Sequence, residues 1–243
     1  MSLFPSPLLD AFSALVDRLA ELLQPLAADA STAAAVVVFT VLVRLAVHPL
    51  SRAAVRGQRA RVRLAPRVAA LREKHKNRPE RLQRAILDLH AEEKVSPFAG
   101  ILPSLLQVPA FLLLYSLFSS GDRMGGHQLL AAPLDGRWTG ALGDGGPFGP
   151  AGLVYVALFA TALAVAAFQY VRTRRETPAG PAGGDVPTAL GRILPLLSFG
   201  TVVTVAVVPL AVALYVVTST AWSAVERALL MRRPLPPSVP TRA

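Results

Sequence analysis

A chain of 243 residues that is 53% hydrophobic yet carries 25 Lys and Arg against 15 Asp and Glu is unlike a soluble domain of that length. It fits an integral membrane protein whose charge is confined to its loops. The absence of cysteine excludes disulfide frameworks and thiolate metal sites.

Residues 1–30 read as an extracytoplasmic, interfacial amphipathic helix. Leu8, Leu9, Phe12, Leu15, Val16, Leu19, Leu22 and Leu23 recur at three and four, while Asp10, Asp17 and Glu21 fall elsewhere. The acidic interruptions, and the lack of a basic leader before a continuous apolar core, argue against a cleavable signal peptide. A bilayer core of about 30 Å takes roughly 20 apolar residues of helix. Five stretches meet or nearly meet that length: 31–50, 98–119, 151–171, 191–208 and 209–230. The last two are separated only by Pro209, and a hairpin turning near Val207–Pro209 is preferred to one helix crossing twice the bilayer.

The first span contains "TVLVRLAVHPL", with Arg44 inside it and His48 one turn later. An arginine near the middle of a membrane helix costs about 2.5–3.5 kcal/mol on insertion scales. Snorkelling to the inner headgroups is one way to lower that cost. Thr40, Arg44 and His48, four apart, form a polar stripe, and the second span supplies Ser104 and Gln107 between Pro103 and Pro109. A water-containing groove between the helices, open to the cytoplasm, would satisfy all of them. For His48 a place at the membrane interface is the stronger reading, and for Gln107 a helix-to-helix bond is as good as substrate contact.

Residues 51–97 hold thirteen Lys and Arg, Arg59, Arg63, Arg67, Arg72, Lys74, Lys76, Arg81 and Arg84 among them. Apolar positions Val62, Leu64, Val68 and Leu71, then Leu82, Ile86 and Leu89, predict an antiparallel helical hairpin closed at Asn77–Pro79. Its charge suits anionic lipid or an RNA-rich partner. The segment 120–150, with glycine and proline throughout, reads as largely irregular extracytoplasmic loop. Residues 172–190 form a second cytoplasmic loop and 231–243 a cytoplasmic tail. The excess of Lys and Arg in 51–97, 172–190 and the tail puts these inside, the N-terminus outside and the C-terminus inside. The chain is thus expected to be an all-α, multi-pass protein of the plasma membrane.

No phosphate loop, nucleophile elbow or His pair at metal spacing occurs, so no enzymatic chemistry, metal or cofactor is expected. Placing Glu226 at the cytoplasmic end of the last span leaves no carboxylate inside a span. That disfavours a proton-coupled transporter.

The order of features resembles the YidC/Oxa/Alb family of membrane protein insertases, in particular its actinobacterial type. "FTVLVRLAVHPLS" precedes a basic hairpin, and Val95, Pro97, Gly100, Leu102, Pro103, Leu105, Gln107, Pro109 and Phe111 match the family's entry into the next span. "LPLLSF" and "VVPLAVALYVVTSTAW", with Pro209, Leu214, Tyr215 and Trp222, match its ending more loosely. The resemblance covers about residues 31–231. It implies five transmembrane helices around a hydrophilic groove open to the cytoplasm, and a role in inserting or folding other membrane proteins. Arg44 would be the groove arginine, with Thr40, Ser104, Gln107 and His48 around it. Leu105, Phe111, Leu112, Leu197 and Val202 would lie on the apolar slide that receives a client helix. Newly made membrane proteins, the Sec translocon, the ribosome and the signal recognition particle pathway are the partners it implies. His48 stands where the family has an aliphatic residue, and the tail is short, so ribosome contact would fall to the hairpin 51–96. A small channel or transporter using the same polar cavity, or a ribosome or lipid tether acting through the basic loop, are the competing functions.

Overall fold

The computed structural model describes residues 4–93, 102–119, 126–176 and 194–232, with side chains throughout except at 61–62, 102–106, 175–176, 194–195, 197 and 232. The motif residues Val95, Pro97 and Gly100, most of the loop 172–190 and the tail beyond residue 232 lie outside the described residues. So do the side chains of Ser104, Leu105 and Leu197.

Helix α1 (Ser6–Ala27) starts just after Pro5 with proline in its first turn, where the missing N–H and fixed φ are favourable. It stops at Ala28, whose φ of 43° reverses the chain through a 3₁₀ turn (Ala28–Ala30) into α2 (Ser31–Lys74). The helix folds back on α2, and the rings of Phe12 and Phe39 meet edge-on with centroids 5.1 Å apart. Leu9, Phe12, Val16 and Ala20 are buried, whereas Leu8, Leu15, Leu22 and Leu26 face outwards. The two apolar rows therefore adjoin on the side of the helix opposite the acidic positions: one packs on protein, and one faces outwards.

The expected boundary between the first span and the basic hairpin is not a break. Helix α2 runs for 44 residues, about 66 Å at 1.5 Å per residue, through both Pro49 and Pro66. A proline removes one helical hydrogen bond and bends the helix, and anchors on either side, Arg44 before Pro49 and Val55 and Arg59 after it, hold its course. The turn at 75–78 leads into α3 (Pro79–Glu92), and Arg67 donates to Glu93 at 2.6 Å across the two arms. Leu64 is buried, but Val68, Leu71, Leu82, Ile86 and Leu89 are only half-buried, so this hairpin has a thin core.

Helix α4 (Leu102–Ser119) is followed by a two-residue antiparallel pair, β1 (Gln128–Leu129) with β2 (Ala132–Pro133), and by the short α5 (Trp138–Gly143). Then come α6 (Pro150–Glu176), a 3₁₀ segment (Leu194–Phe199), α7 (Gly200–Val207) and α8 (Leu210–Arg232). Between α7 and α8, Val208 is extended because the following proline disfavours helical backbone there. Contacts fix the directions of travel. Arg44 of α2 meets Ser219 and Arg59 meets Leu230, so α2 and α8 run parallel. Gln107 meets Ser219 while Phe111 meets Tyr215, so α4 runs against α8. Gln169 meets Thr220 and Arg172 meets Arg227, so α6 runs with α8, and Tyr170 meets Phe199 at the far end of α7.

The loop expected to be irregular is partly ordered, for a definite reason. The first two N–H groups of α8 lack intrahelical partners, and the loop supplies them: Leu210 N–H donates to the Gly136 carbonyl and Ala211 N–H to that of Leu134, both at 2.9 Å. Tyr155 donates its hydroxyl to the same Gly136 carbonyl at 2.6 Å, and Trp138 packs against Tyr155 and Phe159. A side chain at Gly152 would put its Cβ 2.2 Å from the Gly146 carbonyl oxygen, so only glycine lets the loop lie on the start of α6. Leu114, Leu117, Phe118, Leu134 and Leu210 to Ala213 are buried here, forming a tightly packed loop end.

By length and composition, two helical stretches among the described residues could cross a bilayer, Ser6–Ala60 and Pro150–Arg174. Gln107–Ser119 is a shorter apolar helix. The α7 region is only six residues of 3₁₀ and eight of α-helix, and α8 spends Ser219, Ser223, Glu226 and Arg227 on its polar side. Large apolar side chains face outwards on several helices: Leu42 and Leu45 on α2, Leu163 and Phe168 on α6, Val203 and Val207 on α7, and Val225 and Leu229 on α8.

Candidate functional site

The inner face of α2 is a row four residues apart: Thr32, Val36, Thr40, Arg44 and His48, of which the first four are buried. Arg44, only 8% exposed, lies where α2, α4 and α8 converge. Its Nε donates to Ser219 Oγ at 2.9 Å and its Nη2 to the same oxygen at 2.5 Å. The Gln107 amide reaches that oxygen from α4 at 3.2 Å. A hydroxyl oxygen has two lone pairs, so the guanidinium fork and the amide share one saturated acceptor. The Tyr215 hydroxyl donates to the Gln107 backbone carbonyl at 3.3 Å, linking α8 to α4 one turn further on. Among the described residues no carboxylate pairs with Arg44 directly, and its guanidinium is held by the Ser219 hydroxyl.

On the hairpin side of Arg44 a cavity of about 90 Å³ is lined by Arg44, Ser51, Gln58, Gln107, Ser223, Glu226 and Arg227, with Ala54, Val55 and Leu230 completing it. It has room for several waters and enough polar partners to hold them. The site is therefore a polar recess set where α2, α4 and α8 meet.

Thr40 is buried, but its hydroxyl donates to the Val36 carbonyl of its own helix at 2.7 Å, so it does not bond to Arg44. His48 Nδ1 is paired with Glu226 Oε1; the histidine side chain is 38% exposed and the glutamate 9%. This supplies a reason for a histidine at that position: it gives a hydrogen-bonding partner to a carboxylate that α8 carries into the recess. Glu226 lines the recess. Phe111 is half-buried between Tyr115 and Tyr215, with ring centroids 6.2 and 6.5 Å away, and Leu112 and Val202 are also half-buried.

Ser219 is the residue that sequence reasoning missed. Its one signal is the run Thr218-Ser219-Thr220 within an apolar helix, and only the helical phase shows which hydroxyl points inwards. Thr220 bonds back to Val216 and Val217, whereas Ser219 points inwards one turn beyond Tyr215. In the basic hairpin, Arg59 donates to the Leu230 carbonyl at 2.5 Å, satisfying the end of α8, and Arg72 is half-buried. Arg63, Lys74, Lys76, Arg81 and Arg84 are exposed, as is Arg67 with its Glu93 partner.

Residues 24–235 match the family described as 60Kd inner membrane protein. The chain is 35% identical over 91 residues to a membrane protein insertase YidC of Polynucleobacter asymbioticus, covering 37% of this chain and 16% of that protein. It is 37% identical over 92 residues to the protein of the same name from Burkholderia multivorans, covering 38% and 17%. With that of Ralstonia nicotianae it shares 35% identity over 113 residues, covering 46% and 19%. The chain thus aligns with less than a fifth of the length of these relatives.

Proposed function

We propose, from the premise that this chain belongs to the 60Kd inner membrane protein (YidC/Oxa) family, that it is a non-enzymatic membrane protein insertase and chaperone. In this reading five segments, α2, α4, α6, the α7 region and α8, cross the plasma membrane, with the loop end outside and the basic hairpin and C-terminus in the cytoplasm. The alternating directions of the five segments support that arrangement, as does the excess of Lys and Arg at the hairpin end.

The observation that carries the proposal is Arg44, buried between three helices and held by Ser219 beside a polar cavity. A hydrated recess at this depth shortens the apolar path that a client's hydrophilic end must cross. Arg44, without a carboxylate of its own, attracts acidic groups in that end. The client's apolar helix supplies most of the driving free energy as it leaves along the outward faces of α4 and α7, and an inside-negative membrane potential adds about 2.3 kcal/mol for each negative charge moved outward across 100 mV. The exposed hairpin cations Arg63, Lys74, Lys76, Arg81 and Arg84 are the surface for a ribosome, the signal recognition particle pathway or the Sec translocon.

The test is insertion of single-span clients with acidic or neutral exported ends by purified protein in vesicles. Arg44→Ala should slow the acidic client by about tenfold or more, the equivalent of at least 1.4 kcal/mol, and the neutral client much less. Arg44→Lys should recover only part of the rate, because one ammonium cannot reproduce the two-pronged bond to Ser219. Equal insertion of both clients by Arg44→Ala would overturn the groove mechanism. Ion flux through the wild-type vesicles without client would favour a channel instead.

A further inference from the structure

A second cavity, of about 250 Å³, lies on the other side of the His48–Glu226 pair, lined by His48, Arg52, Trp222, Val225, Glu226, Leu229 and Leu230. Three features set it apart from the recess around Arg44. Its apolar wall is a stripe on α8, Trp222, Val225 and Leu229, of which the last two are each 59% exposed, so it opens sideways between α2 and α8 and not along the recess. Its rim carries Arg52, which is exposed and has no ion pair among the described residues. Its wall also includes the indole of Trp222, whose Nε1 is buried and has no acceptor among the described residues. An indole N–H can only donate, so a buried one calls for an acceptor beyond the described residues.

The carboxylate at this site, Glu226, has its Oε1 engaged with His48. What remains is one guanidinium, without an ion pair among the described residues, at the rim of an apolar slot that faces sideways and is walled in part by the Trp222 indole. A molecule that fits has an anionic phosphate at one end and hydrocarbon at the other. The geometry points to a binding site for an anionic phospholipid, its phosphate at Arg52 and an acyl chain along Val225 and Leu229 beside the Trp222 indole. Arg52 lies eight residues beyond Arg44 on α2, about 12 Å along the axis, which sets the phosphate level relative to the recess. The inference requires that the chain sits in a bilayer, but not that it inserts clients.

Trp222 itself reports the occupant. The full chain carrying Trp138→Phe has Trp222 as its one tryptophan. It is reconstituted in phosphatidylcholine vesicles holding equal mole fractions of either phosphatidylglycerol or phosphatidylcholine brominated near the top of the acyl chain, and indole quenching is read. Brominated phosphatidylglycerol should compete for the site about fivefold better than brominated phosphatidylcholine, the factor that one basic residue near an anionic headgroup supplies. Arg52→Gln should abolish that preference, Arg52→Lys should keep it, and Arg56→Gln, one turn away but outside the cavity, should leave it intact. Equal quenching by the two lipids overturns the site. Loss of the preference in Arg56→Gln as well would assign it to the general charge of the hairpin. Relief of the quenching by inorganic phosphate in the buffer would make the site one for soluble anions. Each of these outcomes is independent of insertion activity, so the site and the proposed function stand or fall separately.

Discussion

Removing the Ser219 hydroxyl should loosen the arrangement around Arg44 more than any surface change of similar size. In Ser219→Ala the guanidinium loses both of its bonds to the chain at this point, at 2.9 and 2.5 Å, and the Gln107 amide loses one at 3.2 Å. Hydrogen bonds to a charged donor contribute about 1.5–3 kcal/mol and the neutral amide bond about 0.5–1 kcal/mol. The adjoining cavity of about 90 Å³ lets water replace part of what is lost, so the lower end of the sum applies, about 2 kcal/mol. For a chain of this length that corresponds to a fall in Tm of about 4–8 °C, measurable by intrinsic fluorescence of the detergent-solubilised protein. The decisive comparison is a double-mutant cycle. With Arg44→Met, which keeps the bulk and removes the donors, Ser219→Ala should lose most of its effect, leaving less than about 0.5 kcal/mol. If Ser219→Ala lowers Tm equally in both backgrounds, the hydroxyl does not organise Arg44 and the description of the site is wrong.

Two further outcomes follow from local geometry. Gly152→Ala places a methyl group 2.2 Å from the Gly146 carbonyl oxygen, backbone that cannot step aside without lifting the loop from α6. Its expected cost is about 1–3 kcal/mol, read as a lower Tm, and a variant with unchanged Tm would show that the loop end is not close-packed. His48→Ala leaves Glu226, 9% exposed, without its partner. Because the histidine side of the pair is open to solvent, the loss should be about 1 kcal/mol, and Glu226→Gln in the same chain should restore most of it by removing the orphaned charge. Failure of that rescue in thermal melts would refute the partnership of His48 with Glu226.

Hydropathy and charge spacing alone specified an all-helical chain with apolar segments, a basic hairpin turning near Asn77–Pro79, and a break at Pro209, because these depend on local backbone preferences and on the counting of apolar residues. The sequence also singled out Arg44 and Gln107, since a charge and an amide inside apolar helices stand out whatever they touch. It could not show that α2 continues through Pro49, because that depends on side-chain anchors at Val55 and Arg59, distant in sequence from the residues of α8 that they meet. Nor could it show that a glycine-rich loop folds to cap α8, since the capped N–H groups lie more than seventy residues away. The acceptor for Arg44 is 175 positions along the chain and the partner of His48 is 178. Composition thus determined that the polar groups had to be satisfied. Only the parallel packing of α2 with α8 decided that one serine would hold the arginine and one glutamate the histidine.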